Sequence, residues 1–525
     1  MNNIFSKIKT ISFMATAVAF ASCNDYLDKL PDDRAELKSV KTIEKALVYA
    51  YPDKTISYLT EFSSDNVTDN GKSYNKTTEE EEAYRFKTIT QSINDAPKNV
   101  WSEHYKVVVT TNEVLKAIDE LGLPEETNPL KAEALLCRAY AIFSLTNCFC
   151  MAYNDSTADK YYGIPYPKVV GEELPTRGTL AETYANINAD IEEALPLLDD
   201  SYLQVPKYHF NQKAAYAFAA RFNLYYQKWA KAKEYAEKAL GANPLNVMHT
   251  SLSTYGNMTY DEAAYAFIDS NDPYNFLIVG KYSIMGRMKN STKYRRFGHN
   301  RTLCVNETYW ARMPWNTAAT SSNNCLYEAK MLYGSNQSIF TPNVDEFFEV
   351  TDKINQTGFP HIMDVPFTAD ETNLVHAEAC IALGQLDSAL VDLNYFVQTH
   401  CAAKDGNATR PTLTLENLKT FWNSQMEFKI EDGVVTTRST KKPFSAPFKL
   451  TDAENQTPLI YTLLHMRRIE TFWKGMRFQD IKRYGIEFVH ELDGEPSIVF
   501  KRGDLRGALQ LPQDVIDAGL EANPR

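Results

Sequence analysis

The chain of 525 residues contains no HExxH, GxSxG or GxGxxG motif, so metallopeptidase, α/β-hydrolase and dinucleotide-binding chemistry have no anchor in it. It has no excess of positive charge either: 55 Lys and Arg stand against 67 Asp and Glu, a formal charge of -12. Nucleic-acid binding favours clustered basic surface, so this balance argues against it. Cysteine is sparse, eight in all, with no CxxC pair and no Cys/His metal-ligand spacing. The apolar run Ile11 to Ala21 is too short to cross a bilayer as a stable helix. Gly71-Lys72-Ser73 ends like a phosphate-binding loop, but Asn66 stands where its first glycine is needed. Asp65-Asn66 and Asp69-Asn70-Gly71 miss the EF-hand spacing and its terminal glutamate. No cofactor or metal is called for. What remains is an ordinary globular composition, 44% hydrophobic and 23% charged, which excludes disorder and coiled-coil rods as the main reading.

The N-terminus carries Lys7 and Lys9, then the apolar run, then Ser22 and Cys23. A basic start, a short apolar stretch and small residues before the cut describe a secretory signal peptide. Phe20-Ala21-Ser22-Cys23 resembles a bacterial lipoprotein box, with Phe20 where leucine is usual. That resemblance implies lipidation of Cys23, a tether without a spanning helix. Cleavage before Cys23 leaves 503 residues and a formal charge of -14. Of the other cysteines, Cys137, Cys148, Cys150 and Cys380 lie in helical apolar patterns, where cysteine acts as a small hydrophobe. Cys304 and Cys325 flank one loop segment and could bridge in an oxidising compartment.

Helical periodicity dominates the rest. Trp101, Tyr105, Val108, Leu115 and Ile118 make one stripe between Asn99 and Leu121. Leu130 to Ala152 reads as an alanine-rich helix, and Thr179 with Glu182 as a capping box opening a third, running to about Leu198. Two later stretches look like tetratricopeptide hairpins: Ala220, Ala232 and Ala239 closed by Pro244, then Ala377, Gly384, Ala389 and Leu393. Such hairpins stack, because one pair cannot bury its own apolar face. His376, within the second, reads as a helix-packing residue rather than a ligand, and Glu79 to Glu82 as a solvated helix start. Residues 62–78 are turn-rich, 153–178 an irregular connection, and about 245–342 the longest irregular stretch, where short elements and function are expected.

Near the C-terminus stand Arg467-Arg468-Ile469-Glu470, Gly475, Arg477, Asp480, Arg483 and Gly485. This series resembles the signature of the SusD/RagB family of Bacteroidetes surface lipoproteins. Cys23-Asn-Asp-Tyr-Leu-Asp, Trp101 with Tyr105 and Asn112, Arg138-Ala139-Tyr140, Gly163-Ile164-Pro165 to Asp190, and Leu511-Pro512 followed by Asn523-Pro524 extend the likeness along most of the chain. Met466 and Lys474 depart from it where glutamates are common, and Arg525 replaces a terminal Gly-Tyr. The resemblance implies a mainly α fold: tetratricopeptide-like helical hairpins forming a right-handed scaffold, with a loop-rich irregular ligand-binding region. It further implies a lid on the outer face of the outer membrane, over a SusC-like TonB-dependent transporter, capturing oligosaccharide or another nutrient without cleaving bonds. The expected organisation is a signal peptide over 1–22, a helical region over 23–245, the loop-rich segment over 246–342, and a C-terminal helical region over 343–525. Glu470, Arg477 and Asp480 are spaced to pair on a helix or across a turn, and read as structural.

Aromatic residues are the chain's surplus: 31 Tyr, 27 Phe and 6 Trp. Nine of the tyrosines and two tryptophans fall between Tyr255 and Tyr333. A pyranose ring has an apolar C–H face that an aromatic ring covers and a hydroxyl rim that Asn, Asp, Arg or Gln bonds. Tyr282, Tyr294, Tyr309, Trp310, Arg312, Trp315, Asn316 and Tyr327 supply that mixture. In the resembling family the ligand site also uses the loop before the first repeat helices, here about Asp65 to Tyr74. The residues leave open a peptide or glycoprotein nutrient, a lipid-anchored glycoside hydrolase whose carboxylates are distant in the chain, and a pure scaffold.

Overall fold

The computed structural model describes residues 37–171, 176–289, 295–315, 326, 332–333, 339–401 and 412–525. Cys23, Tyr294, Asn316, Cys325 and Tyr327 lie outside them. A capping box at Ser39 opens α1 (Val40–Leu47). Next come α2 (Ser57–Phe62) and a two-residue strand, β1 (Thr68–Asp69). A second capping box, Thr77 with Glu80, starts α3 (Thr78–Tyr84). The helix start is where the glutamate run puts it, but Glu80 is buried rather than solvated, with its carboxylate 3.0 Å from the Arg295 guanidinium. Helices α4 (Pro97–Leu121) and α5 (Pro124–Phe149) each carry proline in the first turn, where the missing N–H costs nothing. They pack together, and Ala132, Ala134, Ala139 and Ala141 are wholly buried, which lets neighbours approach. The Thr179–Glu182 box opens α6 (Leu180–Ala194) as expected.

The first expected hairpin is α7 (Gln212–Tyr225) with α8 (Trp229–Leu240). Within the irregular segment lie β2 (Asn275–Tyr282), β3 (Phe297–Gly298) and α9 (Arg301–Glu307). Strands β4 (Phe347–Asp352) and β5 (Thr357–Thr368) follow, and β5 sits between β2 and β4 in one antiparallel sheet. Thr368 ends β5 and caps α10 (Ala369–Ala382), so the sheet runs straight into the second hairpin, α10 with α11 (Leu386–His400). Gly384 turns that hairpin with φ +73°, a conformation glycine adopts without strain. Helix α8 packs on α10, so the two repeats stack. Their small residues Ala220, Ala232, Ala377 and Ala389 are fully buried at the contacts.

The chain closes with α12 (Ala453–Glu470), α13 (Arg477–Tyr484) and the hairpin β6 (Phe488–Leu492) and β7 (Glu495–Phe500). The architecture is mainly α-helical, built on tetratricopeptide-like hairpins. No helix among the described residues is long and apolar enough to cross a membrane. Cys137, Cys148, Cys150 and Cys380 are buried, as their apolar patterns imply.

Candidate functional site

Strand β1 pairs antiparallel with β3, Thr68 opposite Gly298 and Asp69 opposite Phe297. This joins the Asp65–Tyr74 loop to the aromatic segment more than two hundred residues later. Asn300 donates to the Asn70 side chain at 2.8 Å, and Arg296 reaches Asp69 at 2.6 Å. The two regions in which ligand contacts are expected therefore form one surface.

Their side chains divide sharply. Trp310 and Trp315 are 1% and 2% exposed, and Tyr309 is 8% exposed. Trp310 lies under the Arg301 guanidinium at 5.5 Å, Trp315 beside His465, and Tyr309 edge-on to Phe472. No ring of the three offers a free face to solvent. Tyr74, in the loop after β1, is half-buried, and Arg312 is exposed, so both side chains reach solvent.

Asp65 is buried among cations. It accepts from Arg477 at 2.7 and 2.8 Å and from Lys442 at 2.6 Å. Arg468 donates to the Asp65 carbonyl at 2.7 Å and to Asn66 Oδ1 at 2.8 Å. Glu307 completes the cluster, 2.7 Å from Lys442 and 2.8 Å from Arg438. Burial pushes the Asp65 carboxyl up, but Arg468, Arg477 and Lys442 together hold it well below its usual range. It is a charged buried anchor.

The rest of the C-terminal signature makes similar ties. Arg467 meets Asp480 at 2.9 Å, and Asp480 also meets Arg483 at 3.1 Å. Arg483 pairs with Glu378 of α10, whose carboxylate accepts from Tyr484 at 2.9 Å. Glu470 accepts from Thr368 at 2.8 Å and lies 3.3 Å from Lys474. Asp480 and Glu470 thus pair on a helix or across a turn, as their spacing suggests, with Arg483, Arg467 and Lys474, whereas Arg477 leaves its own helix for Asp65. Gly475, at φ +79°, has room for nothing larger, since a Cβ there would come within 2.5 Å of Thr60 Oγ1 and 2.8 Å of the Ser57 Cα. Its N–H donates to Glu61 at 2.8 Å. The structural reading of this signature stands.

Tyr282 lies elsewhere. It sits half-buried at the end of β2, with Lys54 Nζ 4.8 Å from its ring centre. It lines a cavity of about 980 Å³ together with Tyr49, Tyr51, Tyr202, Tyr208 and Met363. Tyr49 is 78% and Tyr208 47% exposed. Glu133, buried below, accepts from Tyr51 at 2.5 Å and Tyr202 at 2.7 Å, and lies 2.7 Å from His209 Nδ1. The phenol oxygens of Tyr51 and Tyr202 are thereby fixed. Lys41, Lys45 and Lys106 on the rim face Glu44, Asp53 and Glu103, so neither charge sign prevails. Sequence reasoning missed Tyr49 and Tyr208. The available signal was a tyrosine just past an amphipathic helix, and a second in the Pro206–Tyr208 turn.

Comparison with known proteins gives this geometry a context. Residues 25–224 match the SusD-like family described as "Starch-binding associating with outer membrane". A putative sugar binding protein from Bacteroides vulgatus superposes with a TM-score of 0.64 at 18% identity, over 94% of this chain and 99% of that one. A SusD superfamily protein from the same organism gives 0.62 at 18%, over 93% and 99%. Another, from Bacteroides thetaiotaomicron, gives 0.58 at 18%, over 93% and 100%. No curated protein matches this chain. The chain has the SusD-superfamily fold, and its N-terminal region carries the SusD-like sequence pattern, as the resemblance implied.

Proposed function

We propose that the protein is a carbohydrate-binding lipoprotein of the cell surface. It captures oligosaccharide and delivers it, uncleaved, to a SusC-like TonB-dependent transporter, tethered to the outer membrane through Cys23. The observation that carries carbohydrate recognition is the open tyrosine groove. Exposed rings at Tyr49 and Tyr208, with the half-buried Tyr282 beside them, stand over a rim of balanced charge, which suits a neutral polyhydroxylated ligand better than an ion. The family description and the sugar-binding neighbour support the same class of ligand. Tyr74 and Arg312 are the second proposed set of contacts; Tyr294, Asn316 and Tyr327 lie outside the described residues. Tyr309, Trp310, Trp315 and Asp65 hold the β1–β3 surface in place.

Isothermal titration calorimetry against a polysaccharide panel tests this, with Tyr282→Ala and Arg312→Ala variants. Loss of affinity in the first assigns the groove, and in the second the β1–β3 surface. Unchanged binding in both would refute the two assignments. Failure to bind any glycan would turn attention to a peptide or glycoprotein nutrient, and product release from a bound glycan would make the protein a hydrolase. Transporter delivery is tested by co-purification with a SusC-like partner.

A further inference from the structure

Four potential ligands of three chemical kinds meet where the two stacked hairpins touch. His376 and Cys380 lie one turn apart on α10 and so share a face. Asp392 comes from α11, and Glu237 from α8 of the preceding repeat. His376 Nδ1 is 2.6 Å from Asp392 Oδ2, and its Nε2 is 3.4 Å from Glu237 Oε1. Cys380 Sγ is 3.8 Å from either ring nitrogen. One donor atom each from His376, Cys380 and Asp392 fits within 4.8 Å, the one such cluster among the described residues.

We propose that this joint binds a zinc-like divalent cation, which ties α8, α10 and α11 together. A tetrahedral zinc ion takes nitrogen at about 2.0–2.1 Å, oxygen at about 2.0–2.2 Å and sulfur at about 2.3 Å. Such bonds set neighbouring donor atoms roughly 3.2–3.7 Å apart by tetrahedral geometry. The sulfur-to-nitrogen distance is already close to that. The 2.6 Å His376–Asp392 contact must open by about 0.7 Å, which a rotation of the two side chains provides. His376 keeps 13% of its side chain exposed and Glu237 51%, so the cation has a way in from solvent. Cys380 is fully buried beneath them. The mixed sulfur, nitrogen and oxygen set suits zinc, whereas calcium or magnesium would demand oxygens throughout. Glu237, drawn off Lys233, or a water fills the fourth position.

Zn²⁺ takes Cys380 as the thiolate, His376 through a neutral ring nitrogen and Asp392 as the carboxylate, and any protons these donors carry are released to solvent on binding. The spacing His376-x-x-x-Cys380 is inconspicuous as a sequence motif, and only the fold supplies Asp392 and Glu237. The proposal is independent of the glycan site.

The test uses the full mature chain after chelator treatment, titrated with Co²⁺. Binding predicts a thiolate-to-cobalt charge-transfer band and the visible bands of a tetrahedral site at one equivalent, both abolished by stoichiometric Zn²⁺. Cys380→Ser should remove the charge-transfer band, and Asp392→Asn should weaken Zn²⁺ at least tenfold. Zn²⁺ should also raise the melting temperature of the wild type, because the ion binds the folded state. Absence of the band in the wild type, or its persistence in Cys380→Ser, overturns the proposal. Should Cys380→Ser fail to fold, the wild-type melting shift decides: no rise with Zn²⁺ leaves a His376–Asp392 ion pair and no site.

Discussion

The aromatic segment around Trp310 and Trp315 and the groove around Tyr49, Tyr208 and Tyr282 draw on the same residue chemistry for opposite ends. In the first, rings are enclosed by Arg301, His465 and Phe472, beside a cluster of buried charges. In the second, Tyr49 and Tyr208 stand in solvent beside a half-buried Tyr282, and Glu133 fixes the phenol oxygens of Tyr51 and Tyr202 from below. Aromatic density therefore marks where a large side chain is needed. Exposure decides whether it serves the fold or a ligand.

The comparison breaks most visibly at its anchor. Replacing Arg477 by alanine leaves Asp65 with a deficit of buried positive charge, and breaking a buried pair from one side costs about 3–5 kcal/mol. A denaturant midpoint close to wild type would show that the cluster does not hold the enclosed side together. Trp315→Ala creates a cavity and should also cost about 3–5 kcal/mol. Glycan affinity per folded molecule should stay unchanged, and a loss of affinity at wild-type stability would move Trp315 to the ligand side of the comparison.

Glu61, beneath the enclosed surface, gives a pH test. Burial pushes its carboxyl from 4.5 up to about 7, against the hydrogen bonds from Asn66 and Gly475. Between those values the folded chain keeps a proton that the unfolded chain has released. This group's contribution to stability is thus complete below pH ~4.5 and declines as the pH rises towards 7. Glu61→Gln should gain on the wild type across that window, by on the order of 2–3 kcal/mol. A constant difference between the two, read from chemical denaturation at pH 4.5, 6 and 7.5, would contradict the assignment. The smallest effect on stability belongs to the groove. Tyr208→Ala should leave stability within about 0.5 kcal/mol while weakening glycan binding by the value of one stacked ring, about 1–3 kcal/mol. Wild-type affinity in this variant would leave Tyr208 without a part in recognition.

How much of this was readable follows from what a sequence pattern encodes. Periodicity and caps encode local faces, so the Thr179–Glu182 box and the alanine contacts of both hairpins were legible, whereas Gly384 was read only as a small repeat position and the structure shows it as the turn. The family signature was legible as structural, but its partners were not. Charge spacing suggests neighbours on a helix, whereas Arg477 bonds Asp65, 412 residues away. The joining of the 65–74 loop to the aromatic segment was expected only through family resemblance, because no local rule pairs Thr68 with Gly298. The groove was hidden for the same reason. Its exposed tyrosines come from two separate turns, and nothing in either marks the other.

The Asp65–Arg477 pair also orders the folding of the chain in time. A chain grows from its N-terminus and its domains tend to fold as they appear, yet Asp65 and Glu61 wait for Arg468, Gly475 and Arg477 in the last tenth or so of the sequence. The two repeat hairpins can close on local contacts long before that, as low-contact-order elements do. Until the C-terminal helices arrive, the strand β1 has β3 to pair with, but the loop carrying Asp65 lacks the Arg468 and Arg477 that anchor it. A nascent or truncated chain would then hold its helices and the tyrosine groove but leave the Asp65 loop without its charged anchor, so the completed C-terminus would be the step that fixes the second proposed contact surface.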